Sequence, residues 1–193
     1  MKAVIVVLVV LLGIGLITGG MYVGRKNQMV VKNETVKSSW SEVDNQLQRR
    51  ADLIPNLVAT VQGYAAQEQT VFHDIAAARS ALMGAGSPQA KIAANGQLDS
   101  ALSRLLVVVE NYPVLKSNEN FMRLQDELAG TENRIAVARN RYNAAIQDYN
   151  TYIGQFPNSM FAKWAGFARN DAYFNAPESS RTAPKVQFPG PTR

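Results

Sequence analysis

The 193-residue sequence carries few groups able to do covalent or metal chemistry, and their spacing disarms most of those. It has no cysteine, so thiolate nucleophiles, thiolate metal sites and disulfides are excluded, and its one histidine is His73. A carboxylate metal site in a helical bundle wants Glu-x-x-His on two helices; the residue three before His73 is Thr70, and no second histidine exists. A Ser-His-Asp arrangement lacks a nucleophile elbow, and Asp74 beside His73 would point to another helix face. No glycine-rich loop follows a strand. These residues predict a non-enzymatic protein that holds no cofactor and no metal.

Polar groups set into apolar stripes are more informative. Glu68 continues a stripe between Val61, Ala65 and Val71/Phe72, and Glu132 does the same between Leu128 and Ile135. A carboxylate turned toward a core must be paired or neutralised, and Arg134, Arg139, Arg141 and Arg104 are candidate partners. Tyr142-Asn143 and Tyr149-Asn150 repeat at seven residues, which puts both tyrosines on one helix face with both asparagines beside them. Tyrosines at that spacing suit an amphipathic core with hydroxyls bonded at its edge. Together with Gln46, Arg49, Arg50 and Asp52 before Pro55, they form either register-setting pairs or a recognition surface or subunit interface.

The elements that position these groups read as helices. Apolar residues at Val36, Trp40, Val43, Leu47, Ile54, Leu57/Val58, Val61, Tyr64/Ala65, Val71/Phe72, Ile75 and Leu82 step by three and four, the mark of one buried helical stripe. Pro55 interrupts it, yet Leu47, Ile54 and Val61 keep a seven-residue phase, so the expectation is a kinked or restarted helix that continues in one direction. Gly84-Ala85-Gly86-Ser87-Pro88 is the expected reversal, with Ser87 as N-cap and Pro88 at the first helical position. The next helix covers roughly Pro88–Asn111, with Ile92, Leu98, Leu102, Leu105/Leu106 and Val109 inward, and Tyr112-Pro113 stops it. A fourth stretch starts near Ser117, runs almost forty residues to Phe156 and has Gly130 as a weak point. The predicted fold is all-α: a single N-terminal membrane helix, then an elongated antiparallel bundle of long helices, a short C-terminal helix and an extended tail. The boundaries are 3–23 for the span, 24–35 for a juxtamembrane segment, 36–156 for the bundle, 157–176 for a short aromatic amphipathic segment and 177–193 for a Pro-rich tail. Within that tail Val186 and Phe188 suit an anchoring strap.

The span, Ala3–Val23, is 21 residues without a charge, about 30 Å of helix and enough to cross the hydrocarbon core. It is too long for the apolar core of a signal peptide, and Thr18-Gly19-Gly20 is a poor cleavage site. Gly15-x-x-x-Gly19 and Gly20-x-x-x-Gly24 place small residues one turn apart, a pattern that lets two helices approach closely in lipid. Arg25, Lys26 and Lys32 follow the span and suit anionic headgroups. The balance of basic residues favours a short N-terminus outside and the domain in the cytoplasm.

The net charge of +5 invites a nucleic-acid reading until it is located. Met1–Lys32 holds four basic and no acidic residues, and Pro157–Arg193 five basic against two acidic, whereas Asn33–Phe156 carries eleven basic against thirteen acidic. The excess belongs to anchor and tail, and the folded body offers no basic face to nucleic acid.

Ser39–Glu68 (SWSEVDNQLQRRADLIPNLVATVQGYAAQE), Arg104–Asn143 (RLLVVVENYPVLKSNENFMRLQDELAGTENRIAVARNRYN), DYN at 148–150, Phe156-Pro157 and APKVQF at 183–188 together resemble the LemA family of bacterial membrane proteins. The resemblance implies a protein of the bacterial inner membrane, single-pass, with a long helical bundle and a short N-terminus outside; it supplies no catalytic residues. The functional expectation is a homo-oligomeric scaffold whose partners are further copies of itself and membrane lipid. The alternative is an adaptor or regulator of a membrane protease or other quality-control machine.

Overall fold

The computed structural model describes residues 2–174, and the Pro-rich tail with its Val186 and Phe188 lies outside them. Six helices follow one another: α1 (Lys2–Gln62), α2 (Gln69–Gly84), α3 (Pro88–Val109), α4 (Pro113–Lys116), α5 (Glu119–Gly154) and α6 (Asn158–Ala165). The all-α expectation holds. Among the described residues one segment, at the start of α1, is long and apolar enough to cross a membrane, and none of that stretch is buried by the other described residues.

The span is not a separate element. α1 runs unbroken for 61 residues, about 90 Å, from the apolar stretch through the expected juxtamembrane segment into the bundle. Its buried positions Val43, Leu47, Arg50, Ile54, Leu57 and Val61 alternate steps of four and three, a coiled-coil seam. α5 lies antiparallel along that seam, burying Phe121, Ile135, Ala138, Tyr142, Ile146, Tyr149 and Ile153. The polarity is fixed by cross-pairs at both ends: Asn118 donates to the Tyr64 hydroxyl at 3.0 Å, and Lys32 reaches Asp148 at 2.6 Å.

The course after Pro55 differs from expectation. α1 continues through Pro55, then the chain reverses at Gly63–Glu68, and α2 returns along α1 instead of extending it. Pro55 supplies the reason why this packing is stable. Lacking an N–H, it leaves the carbonyl of Ala51 without its helical donor. Ala51 is fully buried, and Arg79 of the returning α2 donates its Nε–H to that carbonyl at 2.8 Å. The proline thus leaves an acceptor that the returning helix satisfies.

The second reversal is as expected. Ser87 is extended, its hydroxyl accepts the Ala90 N–H at 3.2 Å, and Pro88 opens α3. α2 and α3 form a hairpin tied by Arg104 to Asp74 at 3.0 Å, while Lys91 pairs with Asp44 of α1. The helical turn α4 separates α3 from α5, and the Asn118 side chain caps α5 by accepting from the Phe121 N–H at 3.0 Å. Gly130 sits inside a continuous helix. The result is an α1–α5 pair with the α2–α3 hairpin laid against α1; α3 and α5 have few direct contacts.

Candidate functional site

Two places gather the polar groups, one where α1, α3 and α5 meet and one between α5 and the segment after α6; a third, between α1 and α6, gathers glycines and aromatic side chains. The first joins three helices through Arg50. This residue occupies a seam position of α1 and is 7% exposed. Its Nη1 lies 2.7 Å from Asp99 of α3 and 2.5 Å from Glu132 of α5. Asn95 donates to the other Asp99 oxygen at 2.9 Å, and Arg139 stands 3.9 Å from Glu132. Two cations and two carboxylates balance, so the cluster bridges α3 and α5 where they barely touch. Burial pushes the Asp99 carboxyl above the usual carboxylate range despite the nearby Arg50.

Glu132 is therefore paired, as its place in the stripe demanded, but chiefly with Arg50; of the expected partners only Arg139 approaches it. Arg134 is exposed, Arg141 pairs with Glu42 at 2.7 Å, and Arg104 serves Asp74. Glu68 lies in the turn before α2 and not on a helical stripe, and it accepts a hydrogen bond from the Tyr112 hydroxyl at 3.0 Å. His73 is exposed.

The second place is the Tyr/Asn ladder. Both tyrosines and Asn150 are buried, and the ladder grips the chain's own segment after α6. Asn150 donates to the Asn170 carbonyl at 2.7 Å and accepts the Asn170 N–H at 2.9 Å; Asn143 treats Phe174 identically, at 2.9 and 3.0 Å. Each side-chain amide offers a donor and an acceptor, as a neighbouring strand would, so a helix face pairs with an extended backbone. Tyr149 donates its hydroxyl to the Ala168 carbonyl at 2.8 Å. Phe174 then closes on Trp40, Tyr142 and the Arg139 guanidinium, with centroid distances of 6.2, 6.0 and 5.0 Å. Burial raises both the Tyr142 and Tyr149 phenols above the ordinary tyrosine range, which keeps them protonated. The recognition expected of this ladder is thus occupied within the chain, by a strap over 167–174.

The third place is the membrane end. Gly15, Thr18, Gly19 and Tyr22 of α1 share an open cleft of about 430 Å³ with Phe161 and Trp164 of α6. Gly20 and Gly24 are turned about 100–140° away from Gly19 on the helical wheel and take no part in it. The two glycine pairs, equivalent in sequence, therefore face different surroundings. Arg25 and Lys26 follow the span directly. Lys32, expected at headgroups, instead bonds Asp148 and lies 5.2 Å over the Tyr152 ring, some nine residues beyond the span.

Sequence reasoning missed Arg50's role, although its place between Leu47 and Ile54 in the seam was a signal that it must be neutralised. It also missed Asn95, Asp99 and the strap residues Asn170 and Phe174, whose partners are far away in the chain.

Comparison with known proteins follows these features. The chain is 28% identical to the magnetosome protein MamQ 1 of Paramagnetospirillum magneticum, across 79% of this chain and 66% of that protein. It has the same identity and coverage with the magnetosome protein MamQ of Magnetospirillum gryphiswaldense. To Protein LemA of Metamycoplasma hominis it is 25% identical, across 83% of this chain and 73% of the other. The chain thus spans about two thirds of the length of the curated MamQ relatives. The family model described as LemA matches residues 39–188, from just before Trp40 of the α1 seam to the end of APKVQF and so across all three gathering places except the span itself. A membrane-associated helical protein with this match belongs to the LemA family.

Proposed function

We propose that the chain is a non-enzymatic, membrane-anchored scaffold that associates side by side with further copies of itself at the bacterial inner membrane, its bundle in the cytoplasm. The observation that carries this reading is an apolar groove of about 220 Å³ at the membrane-distal half of the bundle, where α3 and α5 part over α1. Leu102, Leu105, Phe121 and Leu128 line it, and Leu106 on its α3 side remains 43% exposed. Val114 of α4 and Met122 of α5, nearer the tip, are also exposed, at 70% and 44%. Exposed apolar area of this kind marks interaction sites. The Gly20/Gly24 face of the span supports the same reading, since it is free of α6.

Mass photometry of the full chain, gently solubilised, tests the reading. A defined particle larger than a monomer, reduced to monomers by Leu106→Glu in the groove, is expected. A monomer that copurifies with one other membrane protein in fixed ratio would replace the scaffold by the adaptor or protease regulator. Thr192→Cys, labelled in intact cells by an impermeant thiol reagent, reports the side of the membrane on a chain without native thiols; labelling would overturn the cytoplasmic placement.

A further inference from the structure

We propose that α6 is a second membrane element: an eight-residue helix whose aromatic face lies in the lipid interface beside the span, so that the bundle is held to the bilayer at two places. α6 sits against the span. Phe161 packs edge-on against Tyr22 at 5.9 Å, and the cleft they share extends to Thr18, Gly19 and Gly15. Gly15 is eight residues inside Val23, about 12 Å along the helix axis. The lipid that surrounds that part of α1 must also surround whatever stands against it. Phe161 and Trp164 line the same cleft, and Trp164 is 6 Å from Phe161 ring to ring and yet 70% exposed.

The chemistry of α6 fits that medium. Its sequence, NSMFAKWA, has no acidic residue, and its one charge, Lys163, is long enough to snorkel to the headgroups. Phe156, two residues before it, is 82% exposed and Met160 is 46% exposed, so together with Trp164 three large apolar side chains of one short stretch are left largely uncovered by the described residues. In water that arrangement is unfavourable; in the boundary between headgroups and acyl chains it is the usual place for tryptophan and phenylalanine. Asn158, the first residue of the helix, turns the other way, buried and bonded to the Tyr152 carbonyl at 3.0 Å. Lipid is the occupant because the surface is continuous with the span. A second copy could cover it only by entering the bilayer at the same depth.

Trp164 provides its own probe. The full chain carrying Trp40→Phe has Trp164 as its sole tryptophan; reconstituted into phosphatidylcholine/phosphatidylglycerol vesicles, it is compared with acyl-brominated versions of the same lipids. Bromine near the headgroup end of the acyl chain is expected to quench most of the Trp164 emission, bromine near the bilayer centre less, and aqueous iodide little. The companion Trp164→Phe chain, reporting from Trp40 in the bundle, is expected to show no bromolipid quenching and verifies that the fold survives. Ready quenching by iodide without bromolipid quenching would place α6 in water and overturn the proposal. Protection from both quenchers would mean that protein covers the helix, and would overturn it equally.

Discussion

Pro55 and Arg79 are joined by a missing hydrogen bond, and that link can be measured. The perturbation is a double-mutant cycle: Arg79→Met alone, Pro55→Ala alone, and both together. In the native chain Arg79→Met removes the one donor that reaches the fully buried Ala51 carbonyl. Leaving such an acceptor orphaned costs about 1–3 kcal/mol. Pro55→Ala restores an N–H four residues after Ala51 and raises helix propensity, so it stabilises the bundle by up to about 3 kcal/mol. In that background the carbonyl is satisfied within α1, and Arg79→Met is reduced to a loss of packing of about 0.5 kcal/mol. The coupling is therefore about 0.5–2.5 kcal/mol, at or above the scatter of about 0.3–0.5 kcal/mol expected of independent sites. For a domain of this size it corresponds to about 1–10 °C. Thermal unfolding of the four full-length chains in mild detergent, followed at 222 nm, reads it directly. Additive shifts would refute the assignment of Arg79 to the proline's vacant acceptor.

The other tests address the strap, the charged cluster and the span. Asn150→Ala removes both bonds to Asn170 and one to Tyr173; at about 1 kcal/mol net per bond, exchange of the Asn170 and Phe174 amides should accelerate by about tenfold or more with little change in overall melting, and a lowered melting temperature with unchanged exchange at those amides would refute a separable strap. Arg50→Met strands the Asp99 and Glu132 carboxylates; because both are more than a third exposed, the loss should fall below the about 3–5 kcal/mol of a fully buried pair, near 1–3 kcal/mol by chemical denaturation. Asp99 binds its proton more readily folded than unfolded, so its contribution to stability falls as pH rises through a window that begins near its ordinary value of 3.8; relative to Asp99→Asn, the native chain should lose ground across that window, and parallel pH curves would contradict the raised carboxyl. Gly20→Leu should weaken self-association in a membrane dimerisation assay while Gly19→Leu, which faces α6, leaves it largely intact; equal effects would remove the distinction between the two glycine faces.

Much of the bundle was legible because helices announce themselves by period. Val43, Leu47, Ile54 and Val61 were found from spacing alone, and Ser87-Pro88 and Tyr112-Pro113 marked true breaks through capping and lost donors. The reversal at Gly63–Glu68 was hidden because Ala65, Ala66, Gln67 and Glu68 are good helix formers and the apolar phase runs on through it: Val61, Ala65 and Phe72 are all buried, but at the end of α1, in the turn and on α2 respectively. Leu106 shows the opposite error. It belongs to the α3 stripe by spacing, yet it is exposed because α5 parts from α3 at that level. Glu132 was recognised as needing a cation, but choosing Arg50 over Arg134 requires knowing which helices are neighbours. For the Tyr/Asn ladder the pattern was visible and its partner was not, since an asparagine's amide gives no hint that the backbone it binds lies 20 or 31 residues onward.

The unbroken course of α1 makes the span and the bundle a single torsional shaft. No loop separates them, so a turn of the span about its axis turns Trp40, Arg50 and everything bound to them. One alanine inserted near Gln28 would rotate the bundle by about 100° against the span. It would carry α6, tethered through α5, off the Gly15/Gly19 side and toward the Gly20/Gly24 side. An insertion of seven residues would nearly restore the phase while lifting the bundle by about 10 Å. Angular register at the membrane surface is thus a heritable property of residue count, and a foreign span grafted onto this bundle will function only in the right phase.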